Sequence, residues 1–75
     1  MTYATSDFTL ATTLVHLKKK LTGVDRTNPR KAEFLFEETP DLLETVDKFF
    51  NRELMVEPQT FGGDLNSMKN RLYNN

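Results

Sequence analysis

The side chains able to do chemistry are few and scattered. One histidine, His16, and no cysteine occur in the 75 residues. A lone imidazole, with no thiolate and no second imidazole beside it, cannot complete a zinc or transition-metal ligand set, so no metal site is expected. His16 falls on the side of its helix opposite a leucine stripe, among polar side chains. A Ser–His nucleophile needs a strained turn of the Gly-x-Ser-x-Gly kind, and a phosphate cradle needs a glycine-rich loop; the chain has neither. Glu37-Glu38 and the pair Asp41/Glu44 resemble the carboxylates of acid–base catalysis. They sit at a helix start, however, where acidic residues are ordinary. A chain this short leaves little room for a pocket of several hundred Å3. The reading is non-enzymatic, with no cofactor and no small-molecule substrate.

The best polar constellation is Arg26, Arg30 and Lys31, held close by a tight loop that the pair Asn28-Pro29 marks. A two-stranded ribbon with a basic tip can enter a DNA groove or grip phosphates. Asp25 can neutralise one of these charges, and no exposed aromatic is interleaved for base stacking. The same residues also make an ordinary solvated turn. Lys18-Lys19-Lys20 looks like a second basic patch, but consecutive helical residues point about 100° apart. Three lysines there fit a helix C-terminus, where cations are favourable.

The elements that position these groups are organised around residues 31–50. Ala32, Phe34 and Phe36 alternate on one face of a strand over 31–37. Thr39-Pro40-Asp41 then provides an N-cap oxygen, a proline at a position whose N–H is not needed, and a negative charge at the positive end of a helix dipole. Leu42, Leu43, Val46, Phe49 and Phe50 follow within an arc of about 120°, wide enough for a core-facing helix. Upstream, Thr5-Ser6-Asp7 offers three N-caps. A helix from there carries Leu10, Leu14, Leu17 and Leu21 at spacings of four, three and four, with Ala11 beside the stripe. Residues 21–25 read as a short strand, antiparallel to 31–37 across the basic loop. Strand alternation places Leu35 opposite Phe34 and Phe36, beside Val24 or Thr22. Residues 2–5 and 54–56 are candidate edge strands. Pro58 opens a last helix carrying Phe61, Leu65, Met68 and Leu72. Gly62-Gly63 reads either as a turn before a helix that starts at Asp64, or as a close backbone contact with another chain or a hinge. Asn74-Asn75 should fray.

The whole is one domain, 1–75, of a size that buries only about 60% of its unfolded surface. Net charge is −1. Residues 1–35 hold six Lys/Arg against three Asp/Glu, or +3, and residues 36–75 hold four against eight, or −4. Such a balance disfavours a dedicated nucleic-acid binder, while its polarity can orient a partner. No apolar run approaches the roughly 18 residues of a membrane span, and no secretory leader is visible. A cytoplasmic protein without membrane contact is expected.

Three short motifs together resemble a small family catalogued only as a domain of unknown function, in bacteria, archaea and mobile elements. They are Tyr3-x-Thr5-Ser6-Asp7 before an Ala/Leu-rich helix, Asp25-Arg26-x-Asn28-Pro29-Arg30 leading into Phe34-Leu35-Phe36-Glu37, and Val56-Glu57-Pro58 before a final amphipathic helix. The resemblance implies no activity, cofactor or catalytic residue. Gly62-Gly63 departs from it. The expected fold is α+β: a small antiparallel sheet built on a central hairpin and packed on one face by two to three helices. One core cluster should contain Leu14, Phe34, Phe36, Val46, Phe49, Leu65 and Met68. The expected function is a binding or adaptor module acting through protein–protein contact, with a protein partner or as a homodimer. Regulators and inhibitors from mobile elements fall within that class. Its expected interface is an apolar patch of Val24, Leu35 and Tyr3 on the sheet's open face. The alternative is nucleic-acid binding through Arg26, Arg30 and Lys31.

Overall fold

In the computed structural model, which describes residues 1–28 and 30–73, the chain runs β1 (Thr2–Thr5), α1 (Phe8–His16), β2 (Leu21–Asp25), β3 (Glu33–Glu37), α2 (Pro40–Phe50) and α3 (Pro58–Tyr73). The three strands form one antiparallel sheet in the order β1-β3-β2. The strand with the strongest alternation, β3, lies in the middle, with Phe34 and Phe36 fully buried. The expected α+β fold is the one observed. Residues 54–56 form no strand. They belong to the short connection between α2 and α3, and Met55 and Val56 stay exposed. β3 starts at Glu33 instead of Lys31 because the Lys31 N–H is taken by the Asn28 carbonyl at 3.1 Å, inside the loop.

Leu10, Ala11, Leu14, Phe34, Phe36, Leu42, Val46 and Met68 make the buried core. Phe49 packs against it only partly buried, and Leu65 is half-buried outside the cluster. The middle of α1 is the most enclosed segment, with Leu10 to Leu14 buried without a break. Five consecutive residues cover every side of a helix, and α1 touches β1, α2 and α3. Thr12 and Thr13 are tolerated there because their hydroxyls donate to the Phe8 and Thr9 carbonyls, at 2.9 and 2.8 Å. That internal bond removes the penalty for burying an unpaired hydroxyl.

The helix ends follow capping chemistry. Asp7 accepts from the Leu10 N–H at 3.0 Å, and Thr39 from the Leu42 N–H at 3.0 Å with Pro40 just inside. The Glu57 carboxylate accepts from the first-turn N–H groups of Thr60 and Gln59, and the Thr60 side chain, followed by these bonds, holds it below the usual carboxylate range.

α1 ends at His16, earlier than the leucine spacing implies. Lys18 turns to φ 67°, and the Lys18 and Lys19 N–H groups donate back to Val15 and Leu14. Leu17 is thus the C-cap, Leu21 belongs to β2, and the three lysines lie beyond the helix. Lys19 pairs with Asp41 at the start of α2. Arg52, at φ 59°, closes α2 by the same bonding pattern, its N–H donating to Phe49 and that of Glu53 to Lys48. Both are Schellman turns with a non-glycine residue in the left-handed position, where glycine is favoured. Lys18→Gly or Arg52→Gly should therefore raise stability by about 0.5–1 kcal/mol, seen as a melting point a few degrees higher.

Candidate functional site

The loop between β2 and β3 is folded by its own side chains. The Asp25 carboxylate accepts the Thr27 N–H at 2.8 Å, and the Thr27 side chain, followed by that N–H, holds its carboxyl below the usual range. The Asn28 side-chain oxygen accepts the Arg30 N–H at 2.9 Å. Pro29, with the Asn28-Pro29 loop signal it completes, lies outside the described residues, as do Asn74 and Asn75, for which fraying is expected. The guanidinium of Arg26 reaches across to α3 and donates to the Arg71 and Leu72 carbonyls, both at 2.9 Å. The last carbonyls of a helix lack intrahelical partners, so this contact caps α3 and pins the loop to it.

Between the pinned loop and the end of α3 lies an open cleft of about 480 Å3. Arg26, Arg30 and Lys31 line one side, and Leu72 and Tyr73 the other. The structure thus brings together the three cations read from the sequence. It also adds the aromatic that the sequence reading lacked, since Tyr73 is 79% exposed. The concavity exceeds what so short a chain was expected to provide because it is an open gap between a loop and a helix end, made without hollowing the core.

The expected patch of Val24, Leu35 and Tyr3 is not assembled. Tyr3 pairs with Phe36, and Val24 pairs with Phe34, so both side chains join the helix-covered face and pack on the core. For Tyr3 the cause is its regular register opposite Phe36; for Val24 it is a β-bulge between Leu21 and Gly23, which inserts Thr22 and lets Leu21 and Val24 share the core face. Burial against the core also pushes the Tyr3 phenol up, with Asp7 adding to the shift. Leu35 remains on the other face, half-buried beside Ala4 and Gly23. Asp25 and Glu33 stand opposite each other at one end of that face, and Glu37 at the other. The open face is therefore acidic around one leucine.

Apart from Met1 and Tyr73, the large exposed apolar side chains among the described residues lie elsewhere, between Leu43 and Val56. Leu43 and Phe50 lie seven residues apart, on one side of α2, and both are exposed. Phe50 is 62% exposed with its ring edge-to-face on Phe49 at 5.2 Å, and Met55 is 92% exposed. The helical arc placed Phe50 in the core. The structure buries only Leu42 and Val46 from this helix, because α2 meets the rest of the fold along a narrower line than the arc allows.

A family model matches residues 1–74. The chain belongs to DUF5659, a domain of unknown function. No curated protein and no solved structure matches it. Within this DUF5659 chain, His16 is not among solvated polar groups as its helical position suggested. It is half-buried between α1 and α3, with Nδ1 2.8 Å from the Asp64 carboxylate and its ring edge-to-face on Phe61 at 5.6 Å. That places a polar fastener between α1 and α3. Among the described residues no helix is long and apolar enough to cross a membrane, and no three His, Cys, Asp or Glu side chains group closely enough to hold a metal ion.

Proposed function

We propose that this DUF5659 chain is a small non-enzymatic binding module that acts through protein–protein contact. The contact surface on this reading is the exposed end of α2 with the segment that follows it. The observation that carries it is Phe50 and Met55, two of the largest apolar side chains in the domain, standing mostly in solvent five residues apart. Scattered single apolar residues are normal on a protein surface. Here Leu43, Phe50, Met55 and Val56 are exposed within fourteen consecutive residues, and apolar surface collected in this way marks interaction sites. Glu44, Asp47 and Glu53 supply a polar rim of the kind such interfaces carry. A cytoplasmic setting, and a role as regulator or inhibitor within a mobile element, are compatible with this class. Phe50→Ser combined with Met55→Ser should abolish self-association or partner retention, measured by light scattering and pull-down, while the circular-dichroism melt moves by no more than about 0.5 kcal/mol. A wild type that stays monomeric, with any partner retained equally by the double variant, would remove this surface.

A second reading, nucleic-acid binding through the hairpin tip, is favoured by the basic cleft. Three cations and an exposed tyrosine share one concavity. Net charge and the acidic sheet face work against a long electrostatic track on the rest of the surface.

A further inference from the structure

We infer that the hairpin-tip cleft takes a short stretch of single-stranded nucleic acid, with one phosphate on Arg30, the next on Lys31, and a base stacked on Tyr73. This rests on the nucleic-acid reading and specifies its ligand. The three cations do different work. Both α3 carbonyls that Arg26 caps belong to the negative end of the helix dipole, which on its own would repel a phosphate. Arg26 offsets that end and fixes the cleft's shape, so it is a positioning residue. Arg30 and Lys31 are exposed, and among the described residues neither makes an ion pair, unlike Lys19 with Asp41 or Lys48 with Glu44. Their charges remain available to an incoming anion.

Tyr73 gives the site its second chemistry. An exposed aromatic at the rim of a cationic cleft is the arrangement on which unpaired bases stack, with little sequence preference. A duplex hides its base faces, and reading it requires an element that projects into a groove. The loop here cannot project, because Arg26 ties it down onto α3. The acidic residues of the open sheet face, Glu33 and Glu37, stop the basic surface from continuing along the sheet. The site is therefore short, with about two phosphates neutralised.

The test is an anisotropy titration of full-length protein at low salt with a labelled eight-nucleotide oligothymidylate. An abasic strand and a duplex of the same length run in parallel, and thymidine monophosphate serves as competitor. The oligothymidylate should bind best, with affinity falling against salt at a log–log slope of about −1.4, from roughly 0.7 per phosphate for single strands. Arg30→Ala with Lys31→Ala should bring that slope close to zero. Tyr73→Ala should weaken binding about 5- to 150-fold, while Tyr73→Phe keeps most of it. All three positions are exposed, and an unchanged melting curve confirms that each variant is folded. No binding by wild type overturns the proposal, as does tighter binding of the duplex. Equal affinity for the abasic strand removes the stacking role. Displacement by an equal concentration of the mononucleotide would reassign the cleft to a free nucleotide. The protein-contact reading depends on Phe50 and Met55, which this titration leaves untouched.

Discussion

Phe36→Ala should destabilise the domain by about 3–5 kcal/mol, the range for removing a fully buried phenylalanine ring. Phe36 has 0% exposure. It sits on the middle strand, with Tyr3 opposite on one side and Leu21 on the other, and helices cover its face. Its backbone cannot collapse into the space, since β3 is held in register along both edges. A chain of this length has a total stability of roughly 4–11 kcal/mol at about 0.05–0.15 kcal/mol per residue. The substitution therefore removes about a quarter or more of it. Urea unfolding followed by circular dichroism should show a much lower midpoint with an unchanged slope. Phe49→Ala should cost less, because Phe49 is only half-buried, and Phe50→Ala should lie near wild type. A Phe36→Ala protein that unfolds within a few degrees of wild type would contradict the core described above.

The contrast among these three phenylalanines shows where sequence reading works and where it stops. Phe34 and Phe36 alternate with Glu33, Leu35 and Glu37, and a period of two has only one buried solution in a half-covered sheet. The Thr39 cap is equally local and readable, whereas Thr5, Ser6 and Asp7 are equivalent candidates in sequence, of which the structure uses Asp7. Phe49 and Phe50 are adjacent on a helix, and a broad apolar arc does not say how wide the contact with its neighbours will be. The bulge at Thr22 is a backbone event with no residue signature beyond Gly23, yet it moves Val24 from one face of the sheet to the other. The left-handed turns at Lys18 and Arg52 lack the glycine that normally announces them, which is why α1 looked longer than it is. At the cleft, Arg26, Arg30 and Lys31 were visible because they are close in sequence. Tyr73 and the capping of α3 by Arg26 join residues more than forty positions apart, and no local pattern encodes that.

Replacing both glycines of α3, Gly62→Ala with Gly63→Ala, should stabilise the domain by about 2 kcal/mol, at about 1 kcal/mol for each helix-interior glycine. The helix runs through both positions from Pro58, so neither marks a turn before Asp64. Neither has positive φ, so no left-handed geometry requires glycine. An added Cβ would meet nothing within 4 Å at either site, so no close backbone contact within the chain requires it either. The cost of the pair is not hidden by packing, because Met68 is the one fully buried residue that α3 contributes among those described. Beside Met68, the part-buried Leu72 and Phe61 on His16, this helix is held by discrete polar contacts: the Glu57 cap at its start, Asp64 on His16, and Arg26 at its end. Stiffening it should raise the melting temperature by roughly 8–16 °C and slow amide exchange along α3 before other elements. An unchanged or lower melting temperature would mean that the helix tolerates glycine for a local reason absent from the contacts described. Stabilisation accompanied by loss of binding would instead mean that the bare backbone at Gly62-Gly63 is where another molecule approaches, which the Phe50/Met55 and Tyr73 variants would then fail to reproduce.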